Sequence, residues 1–313
     1  MNNNYKKNET PDDKDSPGAQ ITAHSYKLGG LVCLCMVLKY LAAFFASLAD
    51  LNSNVGFILQ FILSGIVANG VLAFAVYKVF EYRGVFQDED FSFNTPLLNL
   101  SLLLGAGYFC VFVSNAMSRF LVPVRYDITG LNGVVDVTVL SGFKFFVFCL
   151  FTVIIIPVVE EFIFRRMVLQ QLRKFGDCFA IMVTALLFAV ARGDTSELLY
   201  CFVVGVMLGY LVIWTNSIIP SMVAHVLISV LNILDIQAFS FPPEESGVTL
   251  LQTFLLILMV MGFFAALYLI FIKSFNTKNN CDDITTINKV SSILVNPVIV
   301  FAIMLNILLY NAI

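Results

Sequence analysis

The sequence predicts an all-α, polytopic integral membrane protein, a helical bundle of eight or nine transmembrane helices, and three observations carry that expectation. Of 313 residues, 59% are hydrophobic and only 12% are charged, with a mean hydropathy of +0.89, far from the balance of a soluble domain. Apolar runs near the roughly 20 residues needed to cross a bilayer recur along the chain. Lys and Arg collect between alternate runs, as cytoplasmic loops do. The net charge of −3 gives no electrostatic footprint for nucleic acid, so no nucleic-acid partner is expected and the lipid bilayer is the surrounding medium.

Residues 1–27 are rich in Asn, Lys, Asp and Pro and lack apolar periodicity, so they are expected to form a disordered cytoplasmic tail. No short apolar segment with a cleavage site marks them as a signal peptide. Residues 28–142 hold the first spans, at Leu28–Leu48, Val55–Tyr77 and Pro96–Met117. Residues 143–236 hold the next four, at Phe143–Val159 running on into a charged stretch, Cys178–Ala191, Glu197–Ile213 and Ile218–Ile236. The middle two are short for free-standing spans and are expected to pack inside the bundle. Residues 237–313 supply the last two, at Leu250–Ile272 and Val290–Tyr310.

With the N-terminus inside, thirteen Lys and Arg fall on the inner side, Arg165, Arg166, Arg173 and Lys174 among them, against three outside, Arg119, Arg125 and Arg192. That asymmetry predicts a cytoplasmic N-terminus. Glu244 and Glu245, beside Pro242 and Pro243, then belong to an outer loop. The seven cysteines form no CxxC pair and lie mostly in apolar runs, where they read as small buried hydrophobes rather than disulfides or zinc ligands.

Pro157–Lys174 breaks the apolar rule. Glu160 and Glu161 are followed at helical spacing by Arg165 and Arg166. Charge at membrane depth is costly, and such groups face a protein interior or a water pocket and mark a site. Glu161 and Arg165 are i, i+4 neighbours that pair on one face of a helix. Gly176 and Asp177 make a turn, after which the next helix climbs back and brings Arg192 near the depth of the two carboxylates. Pro157, one turn before them, is expected to kink the helix. A purely structural ion-pair network is the alternative for these charges, and Arg192 has the alternative of snorkelling to the interface.

His225 lies in the run Ile218-Ile-Pro-Ser-Met-Val-Ala-His-Val-Leu-Ile-Ser-Val-Leu-Asn232, with Ser229 one turn on and Asn232 two turns on, along one face. A lone histidine in a span is more often a hydrogen-bonded core residue than a catalyst. Together, though, a carboxylate, an imidazole and an amide or hydroxyl form a hydrolytic set: Glu as general base toward water, His and the polar side chains at a tetrahedral oxyanion. With His24 and His225 the only histidines, and only His225 in this region, no metal site and no cofactor is expected. Gly205 and Gly209 form a small-xxx-small pair suited to close helix packing.

These residues carry a resemblance. Glu160-Glu161-Phe-Ile-Phe-Arg165 matches the EExxxR motif of the CPBP family, which contains the type II CAAX prenyl endopeptidases and bacteriocin-processing or immunity proteins. Thr184-Ala-Leu-Leu-Phe188-Ala-Val-Ala-Arg192 resembles the family's second motif, FxxxH, and the run through Gly205, Gly209, Pro220 and His225 is similar to the approach to the third, HxxxN. The resemblance implies an intramembrane protease bundle in a bacterial cytoplasmic membrane, with glutamate-activated water attacking a peptide bond. It implies Glu160, Glu161 and His225 as the catalytic set, supported by Arg165, Phe188, Arg192, Ser229 and Asn232.

Two positions depart from the pattern. Arg192 stands where the second motif has His, and Ser229 where the third has Asn or Asp. Arginine stays protonated and cannot accept or shuttle a proton, and a guanidinium beside a carboxylate favours the ionised form and weakens it as a base. Two functions are therefore expected to compete. One is an endopeptidase acting on a membrane-proximal peptide or protein substrate. The other is a catalytically degenerate relative that binds a membrane protein partner, in regulation or bacteriocin immunity.

Overall fold

The computed structural model describes residues 17–48, 54–80, 97–121, 140, 142–192, 198–240, 246–271 and parts of 291–304, and among these there are helices and turns but no strand. α1 is Pro17–Ser47 and α2 joins Asn54–Phe61, the π-helical turn Ile62–Val67 and Ala68–Val79. α3 is Leu97–Leu121, α4 is the long helix Gly142–Phe175, and α5 is Asp177–Arg192. α6 is Leu198–Thr215, α7 Ile219–Ser240 and α8 Ser246–Phe271.

The protein is an integral membrane protein built from these apolar helices. Among the described residues, four segments are long and apolar enough to cross a bilayer: Ala19–Ala42, Gly142–Phe175, Leu198–Thr215 and Thr249–Leu269. Gly65–Val79, Leu100–Ser114 and Ile219–Leu234 are shorter apolar helices, so among the described residues length and apolarity identify four spans of the eight or nine expected. α5 behaves as expected of a short inner helix. Nearly every residue from Phe179 to Ala191 is buried, Ala180 and Ala185 completely. α6 differs from expectation in being long enough to span while keeping a buried face.

α1 starts at Pro17, inside the stretch expected to be a disordered tail. The reason is tertiary: Ile21, Ser25 and Leu28 are buried, Asn296 Nδ2 donates to Ser25 Oγ at 2.8 Å, and the His24 ring meets Phe80 and Phe175. Residues 1–16, Glu244 and Glu245, Arg125, and most of the last expected span lie outside the described residues, while Arg119 falls within α3 near its C-terminal end. Arg165 and Arg166 are buried within α4 rather than lying in an inner loop, so they do not count toward the basic excess there. Cys35 and Cys201 are buried as expected, but Cys110 and Cys178 are exposed on outward faces of α3 and α5.

Small residues set the helix packing. α5 and α6 approach so closely that a Cβ on Gly205 would lie 2.8 Å from Ala185 Cα, which assigns that glycine to helix contact. α3 and α8 pack in the same way, with Gly262 against the Gly105 backbone. α3 also lies on α6, where Gly107 faces Met207. The result is an inner group, α4 to α7, flanked by α1 and α2 on one side and α3 and α8 on the other.

Candidate active site

α4 positions the acidic pair. Its backbone is π-helical over Leu150–Ile155, returns to α over Ile156–Glu161, and is π-helical again over Phe162–Leu169. Pro157 has no N–H to give, and the widened turn just before it, where Ile156 N–H bonds to Phe151 O, is how this helix takes up the ring. Wide turns of this kind occur inside helices at functional sites. The sequence signals the proline but not the two π-helical stretches.

Glu160 and Glu161 end the α-helical segment and are both buried. Glu161 is saturated with partners. Its Oε1 lies 3.0 Å from His225 Nδ1, and Ser221 Oγ donates to its Oε2. Arg165 Nε is 3.4 Å from the same Oε2. Because an ionised carboxylate only accepts, His225 Nδ1 carries the proton in that contact and Nε2 is left to face Glu160 Oε2, 3.9 Å away. Glu161 therefore fixes the ring's tautomer and direction.

Arg165 is completely buried. Its guanidinium nitrogens make no hydrogen bond among the described residues, so Glu161 holds it by charge and the Phe188 face lies 4.9 Å from its central carbon. Phe188 also meets the His225 ring in a T-shaped contact, centroids 5.7 Å apart. Phe188 thus packs on both the cation and the imidazole that Glu161 bridges. A fully packed α5 supplies it, and α7 supplies Ser221 and His225 one turn apart.

Arg192, the last residue of α5, reaches Glu160. Its Nη1 is 3.2 Å from both Oε1 and Oε2, and its side chain is 31% exposed. The expected rise of α5 to the depth of the carboxylates is borne out, and Arg192 does not simply snorkel away. It lines a cavity of about 50 Å³ together with Thr152, Tyr200, His225, Ser229 and Asn232, space for a few waters. Glu160 is not among the residues that line this cavity, but Arg192 and His225, which are, both approach it.

All eight residues singled out in the sequence meet in this region. Ser229 and Asn232 reach the cavity wall, but the Ser229 hydroxyl donates to the His225 carbonyl at 3.0 Å, so its proton is already engaged. Sequence reasoning missed Ser221 as a member of the set, although its place four residues before His225 puts it on the same face. It also missed Thr152 and Tyr200, for which no motif gives a signal.

Residues 142–231 match the family model described as type II CAAX prenyl endopeptidase, Rce1-like. The resemblance to the CPBP family thus holds over that stretch. No curated protein and no solved structure matches the chain. The Rce1-like stretch runs from the start of α4 into α7 and contains Glu160, Glu161, Arg165, Phe188, Arg192, Ser221, His225 and Ser229, with Asn232 just beyond it. It covers less than a third of the chain, and α1, α2, α3 and α8 lie outside it.

Proposed function

We propose that this chain is an intramembrane endopeptidase-like protein in which Glu160 activates a water for attack on a peptide bond. The observation that supports it best is the meeting of Glu160, Glu161 and His225, buried and drawn from two helices, inside an Rce1-like stretch. In this reading Glu160 takes a proton from water as the hydroxide oxygen bonds to the scissile carbonyl carbon. Asn232 and the Arg192 cation stabilise the tetrahedral oxyanion, joined by His225 once its Nε2 has also taken up a proton. Glu160 then returns the proton to the leaving amine as the C–N bond breaks, giving one carboxylate and one amine. Glu161, Arg165 and Ser221 hold His225 in place.

The substrate class is a peptide or protein segment at the membrane. The setting is a bacterial cytoplasmic membrane, with a cytoplasmic N-terminus and further helices completing eight or nine spans. A second reading has one observation in its favour, the contact of Arg192 with both Glu160 oxygens, which occupies the carboxylate that would have to receive the proton of water. Here the chain binds a membrane partner without cleaving it, in regulation or bacteriocin immunity.

Cleavage of a quenched-peptide library by the protein in detergent separates the two. Loss of turnover in Glu160→Gln is the outcome expected of the endopeptidase. A silent wild type, with turnover only in Arg192→His, would sink it in favour of partner binding.

A further inference from the structure

We infer that Arg192 is the residue through which the cavity selects a peptide bearing a carboxylate, and that this carboxylate draws Arg192 off Glu160. The part concerning Glu160 rests on the endopeptidase reading; the selection itself does not. Three features of the site lead to it. Arg192 belongs both to the cavity wall and to the Glu160 contact, so one guanidinium is shared between a buried carboxylate and the entering ligand. The described lining residues include this cation and the Asn232 amide but no acidic side chain, and although the Thr152 and Ser229 hydroxyls already donate to backbone carbonyls, the charge of the wall is matched to an anion. Finally, the planar fork of arginine matches carboxylate geometry, and a peptide carries that group on Asp, on Glu or at a free C-terminus.

Glu160 is buried and is approached from the cavity wall by Arg192 at 3.2 Å and His225 at 3.9 Å, and in this proposal Arg192, the partly exposed one of the two, is its cover. A ligand without a carboxylate leaves the cover in place. A ligand with one competes for the guanidinium and opens the path from the cavity to Glu160. Arg192 is then a specificity residue, and its arrival in place of an imidazole carries a restriction on substrate rather than simple loss.

The test is retention of peptides by the immobilised full-length protein in detergent, read by mass spectrometry, so that hydrolysis is not the readout. Four matched libraries are used: one with Asp and Glu and a free C-terminus, one free of Asp and Glu, one amidated at the C-terminus, and one both amidated and free of Asp and Glu. Wild type is expected to retain carboxylate-bearing peptides about ten- to a hundredfold over their neutral counterparts. The Asp- and Glu-free library and the amidated library identify whether side chain or terminus is read.

Arg192→Gln should abolish the bias and Arg192→Lys should keep part of it. Should Arg192→Gln fail to fold, the pair Glu160→Gln and Glu160→Gln/Arg192→Gln makes the same comparison without leaving a carboxylate unpaired. Equal retention of charged and neutral peptides by wild type, or a bias that survives loss of Arg192, overturns the inference. Arg192-dependent retention by a protein that cleaves nothing would instead overturn the endopeptidase reading and leave the selection standing.

Discussion

α4 and α8 are both long helices whose most apolar windows are equally hydropathic, yet they are built for different tasks. α4 buries Glu160, Glu161, Arg165 and Arg166 against α5 and α7. Among its described residues α8 turns Phe254, Ile257, Met261, Phe264 and Tyr268 outward, and packs mainly on α3 through Gly262. Mean hydropathy finds both spans and distinguishes neither. What separates them is that α4 carries buried charges, held by pairing such as Glu161 with Arg165, whereas α8 has no charged residue to pair, and a buried pair is tolerated where a buried single charge is not.

The largest test removes that counter-charge. Glu161→Ala strips Arg165 of its partner at 3.4 Å and His225 of its 3.0 Å contact, all in fully buried surroundings. The expected loss is about 3–5 kcal/mol, measured as unfolding in mixed detergent micelles. Phe264→Ala, at an exposed position on α8, is expected to stay within about 0.5 kcal/mol of wild type. Equal losses at the two positions would mean that the two helices are not different in kind.

Packing gives the next effect. Gly205→Val places a branched side chain where even a Cβ would be 2.8 Å from Ala185 Cα and 2.9 Å from its Cβ. Backbone cannot give way as a flexible side chain can, so α5 and α6 must separate, at a cost of about 1–3 kcal/mol. At Gly209 the nearest atoms would be Leu169 Cδ1 at 3.4 Å and Ile181 Cγ2 at 3.5 Å, so Gly209→Ala should cost less. Because α5 carries Phe188 and Arg192, Gly205→Val should also lower any activity in the library assay, which Gly209→Ala should largely keep.

Much of this was legible in the sequence because it rests on spacing. The i, i+4 step from Glu161 to Arg165, the turn at Gly176 and the climb to Arg192 follow from helix geometry alone, and the structure has each of them. What was not legible depends on neighbours remote in sequence. Nothing in Pro17–Lys27 announces a helix, since its reason is burial against Phe80, Phe175 and Asn296. Arg166 reads as a loop cation until α4 is seen to continue past it. Likewise, a serine at 221 is an ordinary residue near a helix start until Glu161 arrives beside it from another helix.

Arg192 tests the margin of the charged region. Its side chain is 31% exposed whereas that of Glu160 is 5% exposed, so the pair lies between the surface and buried cases. Arg192→Ala should destabilise by about 1–2 kcal/mol, less than Glu161→Ala, because water at the cavity can reach the guanidinium. The coupling is isolated by Glu160→Gln and the double variant. A double variant no less stable than Glu160→Gln alone would mean that Arg192 contributes through Glu160. A full additional loss would mean that it contributes through packing.

The smallest effect lies in the flanking helices, where adjacent glycines of α1 face different surroundings. A Cβ on Gly29 would meet Val298 Cβ at 3.0 Å and Ile299 Cγ1 at 3.1 Å, whereas one on Gly30 would have no atom within 4 Å. Alanine restricts the unfolded chain and suits a helix interior better than glycine. Gly30→Ala should therefore raise stability by about 0.5–1 kcal/mol. Gly29→Ala forfeits that gain to the extent that the segment around Val298 cannot shift. A clear difference between these neighbours would identify the contact of α1 with the C-terminal segment as a packed interface. If both gained equally, that contact would be loose, and the folded helix at Pro17–Lys27 would owe its order to Phe80 and Phe175 instead.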